Sequence, residues 1–393
     1  MKSLLADHVS LYHGDSRHAL QGFDASSFDS CVTDPPYALT SIVKRFGADG
    51  AAPAKANGAS GVYSRASSGF MGQKWDTGDT AFDPAFWAEV LRVMKPGAHL
   101  IAFSGSRTYH RLACAIEDAG FEIRDQIMWI YGSGFPKSHN QGNGLGTALK
   151  PAHEPIVLAR KPLIGTVAQN IAAHGVGALN IDGCRIFALD AKEGRSRHGG
   201  GVVGNGTSYE LPDSRSFMPA GRWPANVIHD GSDEVVSAFP EAPGQQRDTG
   251  PQFDRKADVY GKFAGVSAHA ARGDAGSAAR FFYAAKADSD ERAGSKHPTV
   301  KPVDLMQYCV RLITPRGGLT LDPFAGTGTT GEAAWREGVR SVLIEREERF
   351  CLDIERRMEL ALSGPDERRR RMTAARGETM QPEGLPLFGG DAA

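Results

Sequence analysis

The sequence lacks an apolar run long enough to cross a bilayer, and it lacks a marked excess of charge of either sign. Its 393 residues have a formal net charge of −1, and 41% of them are hydrophobic. These values describe an ordinary globular protein, in which any contact with DNA must come from local basic patches. The first residues also lack the basic end and the apolar stretch of a signal peptide. We therefore expect a cytoplasmic protein.

Cysteine is scarce and is not arranged to hold a metal. The 5 cysteines are odd in number, dispersed along the chain and never in C-x-x-C spacing. This pattern argues against a disulfide framework and against a structural zinc site. His153 and Glu154 form a pair of metal-ligand types, but no further ligands follow at a suitable spacing. The sequence thus predicts a reduced protein without a metal.

Glycine, in contrast, is abundant. The chain has 47 glycines, concentrated in residues 47–72 and 132–276, and we expect these regions to be rich in loops. Elsewhere, apolar β-prone runs such as 28–33 alternate with stretches of helical spacing such as 82–94. This alternation predicts an α/β fold with a doubly wound, mostly parallel sheet. It breaks down between about residues 160 and 290, where we expect either an inserted recognition domain or long loops over the sheet.

The predicted strand at 28–33 leads directly into Asp34, Pro35, Pro36 and Tyr37. Two consecutive prolines stiffen the turn and remove two backbone donors, so that carbonyl oxygens are presented without competing N–H groups. Beside them lie one carboxylate and one aromatic ring. These groups could bind a flat ring that carries an amino group. Alternatively, the segment has no ligand and is a proline-rich turn in which the aspartate acts as a cap.

A glycine-rich turn lies between a predicted strand and a predicted helix near the C-terminal end. Gly326, Gly328 and Gly331 satisfy the pattern G-x-G-x-x-G, and Glu345 ends the next predicted strand. In a βαβ unit such glycines let the backbone approach a ligand, and the acid binds ribose hydroxyls. This turn alone fits NAD and S-adenosylmethionine equally well. A P-loop is excluded because no Lys-Ser/Thr pair follows the glycines.

Three segments together resemble the β group of DNA amino-methyltransferases, the N-4/N-6 DNA methylases. They are 33–37 (Thr-Asp-Pro-Pro-Tyr), 297–302 (His-Pro-Thr-Val-Lys-Pro) and 321–328 (Leu-Asp-Pro-Phe-Ala-Gly-Thr-Gly). Their order, with the catalytic turn first and the cofactor turn last, is the permuted arrangement of that group. The resemblance covers about residues 1–160 and 290–362.

The resemblance implies a circularly permuted, Rossmann-like fold that binds S-adenosylmethionine and carries a target-recognition insert. We divide the chain into a catalytic half at 1–162 with a mobile loop at 40–72, a recognition region at 163–290, a cofactor half at 291–362 and a disordered tail at 363–393. Catalysis is assigned to Asp34, Pro35, Pro36 and Tyr37. The residues assigned to the cofactor are Asp15, His297, Thr299, Lys301, Asp322, Pro323, Phe324, Gly326, Gly328, Thr329 and Glu345.

The catalytic turn also suits this chemistry on physical grounds. An exocyclic amine of adenine or cytosine is a poor nucleophile because its lone pair is delocalised into the ring. The Asp34 carboxylate and the Pro35 carbonyl would accept both amine hydrogens and position the nitrogen for in-line attack on a sulfonium methyl group. The base must leave the duplex to be reached, with Tyr37 as its stacking face. Methylation at cytosine C5 lacks its nucleophile, because the chain has no Pro-Cys pair.

Several alternatives stay open on the sequence alone. Asp34 favours adenine N6 by family resemblance, and cytosine N4 is the runner-up because the same carboxylate can accept its amine hydrogens. An RNA or protein amino-methyltransferase would share the cofactor turn. A nicotinamide oxidoreductase would also share it, but has no need of the Asp34 turn.

Double-stranded DNA is the expected partner. Arginine is the commonest specific partner of guanine, and the candidate contacts in the recognition region are Arg185, Arg195, Arg197 and Arg222. A second copy of the chain and a restriction endonuclease are further partners left open. In the tail, residues 384–388 (Gly-Leu-Pro-Leu-Phe) resemble a motif that binds the sliding clamp, although Gly384 stands where glutamine is usual.

Overall fold

A computed structural model describes residues 1–37, 80–132, 134, 141–186, 221–242, 275–285, 295 and 300–363, and the backbone of 194–195 and 217–218. The predicted loop at 40–72 and the tail beyond residue 363 lie outside these described residues. Within them, no helix is long and apolar enough to cross a membrane.

The strands are β1 (Lys2–Leu4), β2 (Val9–His13), β3 (Phe28–Thr33), β4 (Met94–Phe103), β5 (Glu122–Ile130), β6 (His153–Arg160), β7 (Gly194–Arg195), β8 (Phe217–Met218), β9 (Val227–His229), β10 (Tyr283–Ala284), β11 (Leu319–Asp322) and β12 (Arg340–Glu345). The α-helices are α1 (Ser16–Gln21), α2 (Pro84–Val93), α3 (Tyr109–Asp118), α4 (Val167–His174), α5 (Asp233–Ala238), α6 (Val303–Ile313), α7 (Thr329–Arg336) and α8 (Glu348–Ala361). Short 3-10 turns lie at Asp182–Cys184 and Ala278–Phe281.

All strands except β7 and β8 belong to one sheet of order β1-β2-β12-β11-β3-β4-β6-β5-β9-β10. β1 and β6 run antiparallel to their neighbours, and the remaining pairs of this sheet are parallel. β7 and β8 form a separate antiparallel pair. The predicted α/β class, with a mixed and mostly parallel sheet, is confirmed.

The central strands are apolar on both faces because helices cover both faces. β3 is buried at every residue, and β4 is buried at nearly every one. Side chains of α1, α2 and α3 pack on one face of these strands, and side chains of α6 and α7 pack on the other. This is the burial pattern expected of a parallel sheet between two helical layers.

The start and the end of α2 follow from local chemistry. Asp83 accepts a hydrogen bond from the backbone N–H of Ala85, and Pro84 occupies the first turn, where its missing donor does no harm. The sequence predicts that this helix stops at residues 95–97. In the structure the helix ends at Val93 and the chain enters β4 at Met94, so that 95–97 are already part of the strand.

Pieces of the predicted recognition region extend the main sheet at one edge. β9 pairs in parallel with β5, and β10 pairs in parallel with β9. The apolar pieces expected near residues 223–229 and 281–285 thus include short strands. The boundary of a separate recognition region at residue 163 stays a prediction.

Candidate functional site

The order in which successive strands are added to the sheet reverses between two neighbouring central strands, β3 and β11. From β3 the chain continues to β4 on one side, and from β11 it continues to β12 on the other side. Open α/β sheets bind their ligands at the carboxyl ends of the strands at such a switch point. A cavity of about 1100 Å³ opens at this place, between the Asp34 turn and the glycine turn.

Most of the predicted site residues line this one cavity. They are Asp15, Asp34, Pro35, Pro36, Tyr37, Lys301, Asp322, Pro323, Phe324, Gly326, Thr329 and Glu345. Gly328 lies between two lining residues and caps α7. His297 and Thr299 fall outside the described residues.

Lys301 brings a buried ammonium group into the lining of the cavity. Its Nζ lies 2.6 Å from Asp34 Oδ2 and 3.3 Å from Glu154 Oε2, and it donates to Tyr37 Oη at 3.0 Å. The side chain of Lys301 is only 6% exposed. Burial lowers the pKa of Lys301, but the carboxylates of Asp34 and Glu154 outweigh burial and hold this pKa above its ordinary value. Lys301 therefore stays charged.

The contacts that Lys301 makes in the structure are not the cofactor contact that the resemblance implies. The resemblance assigns Lys301 to the cofactor, and that contact stays a prediction. In the structure the ammonium group binds the catalytic turn instead of the glycine turn. Lys301 is therefore part of the Asp34 site.

The two oxygens of Asp34 have different environments. Oδ2 is bound by Lys301, whereas Oδ1 is buried and has no hydrogen-bond partner among the described residues. Buried polar atoms are nearly always paired in native proteins, and an exception needs an explanation. Because Asp34 is one of the residues that line the cavity, we interpret this unpaired acceptor as one that is kept for a donor on the ligand.

Tyr37 is held at both ends. Its backbone carbonyl accepts a hydrogen bond from Thr108 Oγ1 at 2.8 Å, and its phenol donates to Glu154 Oε2 at 2.9 Å. Burial, followed by the negative charges of Asp34 and Glu154, raises the pKa of Tyr37 well above its ordinary value. The phenol is therefore neutral and acts as a donor to Glu154.

Glu154 is the functional residue that sequence reasoning missed. It appeared there only as half of a discarded metal pair. The residue lies on β6, and the pairing of β6 with β4 brings it beside the end of β3. No local signal in the sequence predicts this contact, because it depends on an antiparallel pairing between strands that are far apart along the chain.

The glycine turn is organised by Glu345. The carboxylate accepts hydrogen bonds from the backbone N–H groups of Gly326 and Glu347, each at 2.8 Å. Burial raises the pKa of Glu345 to about 7, although both backbone donors act to lower it. Gly326 and Gly328 have φ values of 54° and 76°, in the left-handed region that favours glycine.

Asp322 ties the glycine turn to the strand that carries Asp34. It accepts hydrogen bonds from Thr33 Oγ1 at 2.7 Å, Thr330 Oγ1 at 2.5 Å and the backbone N–H of Phe324 at 3.1 Å. The residue is only 2% exposed, and burial raises the pKa of Asp322 to about 6. The two turns therefore hold a fixed position relative to each other.

Asp15 lines the same cavity from the end of β2. It caps α1 by accepting a hydrogen bond from the backbone N–H of Arg17 at 2.9 Å. A second bond, from the guanidinium of Arg17, lowers the pKa of Asp15. The preceding Gly14 donates its N–H to the carbonyl of Glu345 at 2.9 Å, which sets Asp15 beside the glycine turn.

Of the predicted DNA contacts, Arg185 and Arg222 have described side chains, and neither is among the residues that line the cavity. Arg185 donates to Asp182 at 2.8 Å and lies over the ring of Trp223, and its side chain is 10% exposed. Arg222 lies over the ring of Phe281 at 4.9 Å. Of Arg195 only the backbone is described, and Arg197 falls outside the described residues. Their role in recognition stays a prediction.

The sheet topology and the shared cavity define an α/β protein of the Rossmann-like methyltransferase class. The model of the DNA methylase family, N6_N4_Mtase, matches residues 28–356. Since this match covers most of the chain, the protein belongs to the N-6/N-4 DNA methylase family.

Two curated relatives are named type II methyltransferases. M.HindIII from Haemophilus influenzae is 24% identical over 204 residues, which are 43% of this chain and 64% of that protein. M2.DpnII from Streptococcus pneumoniae is 39% identical over 69 residues, which are 18% of this chain and 26% of that protein. The chain thus spans less than two thirds of either relative.

The solved structures that are similar to this chain have low sequence identity to it. PvuII DNA methyltransferase, described as cytosine-N4-specific, has a TM-score of 0.47 at 15% identity, with 94% of each chain covered. A complex of M1.HpyAVI with S-adenosylmethionine has a TM-score of 0.38 at 14% identity, covering 89% of this chain and 99% of that one.

Proposed function

We propose that this protein is a site-specific DNA amino-methyltransferase that uses S-adenosylmethionine and transfers the methyl group to the N6 amine of adenine. The observation that carries the proposal is the buried, unpartnered Oδ1 of Asp34 in the cavity that also contains the glycine turn. Membership of the DNA methylase family supports DNA as the substrate. The names of the two relatives support a site-specific activity.

The residues of the second half of the cavity fit S-adenosylmethionine. Glu345 offers carboxylate oxygens for ribose hydroxyls, and the left-handed turn at Gly326 leaves room for close approach of a ligand. Phe324 and Asp15 line the same space and would contact the adenine ring of the cofactor. When bound, S-adenosylmethionine supplies the electrophilic methyl group.

The residues of the first half orient the nucleophile. Asp34 Oδ1 accepts one hydrogen of the exocyclic amine, and the Pro35 carbonyl accepts the other, so that the nitrogen lone pair points toward the methyl group. Lys301 holds Oδ2 at 2.6 Å and prevents the carboxylate from rotating. As the bond between nitrogen and the methyl group forms, the bond between that methyl group and sulfur would break and S-adenosylhomocysteine would leave. The amine would then lose one proton, and we assign Asp34 as its acceptor. Tyr37 stacks on the base, which must leave the duplex to enter the cavity.

The test is transfer of label from methyl-tritiated S-adenosylmethionine to duplex DNA, RNA and protein, followed by digestion of the DNA to nucleosides. We expect label on DNA alone, in N6-methyladenine. Label in N4-methylcytosine would show that the target base is cytosine and not adenine. Label on RNA or protein would overturn the proposal.

Asp34→Ala is the matched variant for this experiment. We expect its transfer rate to fall by at least ~10²-fold, because removal of one preorganised polar group commonly has that effect. Its affinity for S-adenosylmethionine should be nearly unchanged. A wild-type rate for Asp34→Ala would show that the carboxylate does not bind the amine.

A further inference from the structure

The rim of the cavity carries a large apolar side chain in water. Leu149 is 92% exposed, and it lines the cavity that contains Asp34. Single exposed leucines are common on protein surfaces and need no explanation in themselves. What distinguishes this one is that it lines the cavity in which the proposed target base would react.

Two exposed cations share this rim with Leu149. Lys150 follows it directly, and Arg107 approaches from the end of β4; both residues are exposed and both line the cavity. Cations at the edge of a site bind phosphates and fix the orientation of a duplex, but they do not read its sequence. All three residues line one cavity, so that cations for the phosphates of a duplex and an apolar side chain for its bases belong to the same site.

The backbone that follows Leu149 is tied to the sheet and to the Asp34 turn. The carbonyl of Ala152 accepts a hydrogen bond from the backbone N–H of Tyr131 at 3.0 Å, and Glu154 Oε2 accepts one from the phenol of Tyr37 at 2.9 Å. Leu149 therefore lies five residues before a side chain that contacts the Asp34 turn.

We propose that Leu149 enters the duplex in place of the extruded target base, while Lys150 and Arg107 bind the flanking phosphates. Apolar side chains that enter a base stack are an established way to stabilise a distorted duplex. The inference rests on the proposed function, because only a base that leaves the duplex creates the gap that Leu149 fills.

The experiment compares Leu149→Ala with Leu145→Ala in the full chain. Leu145 is a matched control, because it is 66% exposed on the same segment but does not line the cavity. The substrates are two duplexes with a site that the wild-type protein methylates, identified by modification-sensitive sequencing. One is fully paired, and the other has an abasic position opposite the target base, which makes extrusion easier.

We expect Leu149→Ala to slow single-turnover transfer roughly tenfold or more on the paired duplex and roughly threefold or less on the abasic duplex. Leu145→Ala should match the wild type on both, and Leu149→Met should restore most of the rate. Both alanine variants should melt at the wild-type temperature, since both side chains lie on the surface.

Two outcomes would overturn the inference. A wild-type rate for Leu149→Ala on the paired duplex would show that no wedge is needed, and an equal loss on both duplexes would indicate a role unrelated to base extrusion. In both cases the wild-type protein still methylates DNA, and the proposed function stands. If modification-sensitive sequencing found no DNA site that the wild-type protein methylates, the proposed function would fail together with the inference.

Discussion

At the scale of single residues, Lys301 makes the two oxygens of Asp34 different. One buried ammonium group binds one oxygen of Asp34 and an oxygen of Glu154, and it also donates to the phenol of Tyr37. Lys301 thus fixes Oδ2 of Asp34 and leaves Oδ1 as the acceptor for a ligand.

Lys301→Met should lower the transfer rate at saturating cofactor by at least ~10²-fold, since it removes a preorganised charge beside the reacting amine. Cofactor affinity should change little, as measured by calorimetry. Removal of one partner from a buried ion pair costs about 3–5 kcal/mol, so folding must be checked by thermal melting.

Lys95→Met is the matched control for this variant. Lys95 pairs with Asp29 at 2.5 Å, in the same sheet but outside the residues that line the cavity. We expect this change to lower stability and to leave the saturated transfer rate unchanged. If Lys301→Met instead weakened cofactor binding and recovered its rate at saturation, Lys301 would be a cofactor contact, as the resemblance implies.

Glu345 should make the stability of the ligand-free protein depend on pH. Burial raises its pKa from 4.5 in the unfolded chain to about 7 in the folded protein. A raised pKa means that the folded state disfavours the ionised form, so this contribution to the free energy of unfolding is full below about pH 4.5 and is lost as the pH rises to about 7. Chemical denaturation from pH 4.5 to pH 8 should show the loss.

Glu345→Gln is the control for this pH dependence. It keeps an acceptor for the N–H of Gly326 but cannot ionise, so its free energy of unfolding should lack the fall that wild type shows as the pH approaches 7. The raised pKa of Asp322, about 6, should still produce a fall at lower pH in both proteins. Parallel curves for the two proteins across the whole range would contradict the assignment.

At the scale of elements, α8 packs against the glycine turn and is hydrogen-bonded to it. Arg357 on this helix donates its Nε to the carbonyl of Thr327 at 2.8 Å and its Nη1 to Glu332 on α7 at 2.9 Å. The side chains of Arg357 and Glu332 are 1% and 0% exposed. Of α8, only Phe350 lines the cavity. Arg357, which does not line it, nevertheless holds the turn that does.

Arg357→Met should destabilise the protein by about 3–5 kcal/mol, because it removes a buried cation from a buried carboxylate. It should also weaken cofactor binding while the transfer rate at saturating cofactor largely recovers. The double change Arg357→Met with Glu332→Gln should regain part of the stability, as measured by chemical denaturation. Equal stability of the single and the double variant would mean that the pair does not act as a unit.

At the scale of the whole molecule, the cavity joins the two ends of the chain. Its lining includes residues 14–16 and 34–37 from the start and residues between 301 and 350 from the end. β3 and β11 pair directly, and Ser30 Oγ donates to Thr320 Oγ1 at 2.9 Å across that pair. The catalytic and cofactor halves thus share one sheet and one core.

We therefore expect both halves to unfold together in the presence and absence of cofactor. S-adenosylmethionine at 100 times its dissociation constant should stabilise the folded protein by about 2.7 kcal/mol and shift a single common transition to higher temperature. Differential scanning calorimetry tests this, with Glu345→Ala as a variant that should shift less. Two transitions, of which the cofactor moves only one, would show that the halves are independent.

The sequence by itself determined the class of fold and the chemistry of both turns. The strand predicted at 28–33 has the same bounds in the structure, because an apolar run of that length between polar ends leaves a buried strand little freedom. The Asp34 turn and the glycine turn were recognisable because each is a short, contiguous arrangement of residue types. Family membership confirms the resemblance to the DNA methylases, and the roles of the residues in the two turns stay predictions.

Only the tertiary structure decided which groups meet. The antiparallel strand β6 inserts between β4 and β5 and brings Glu154 to the catalytic turn, and the approach of Lys301 divides the two oxygens of Asp34. α1 was also absent from the predictions, because a helix of 6 residues is too short to show a periodic pattern. Local patterns report the structure of short segments, whereas these contacts join residues that are 117 positions apart (Tyr37 and Glu154) and 267 positions apart (Asp34 and Lys301) along the chain.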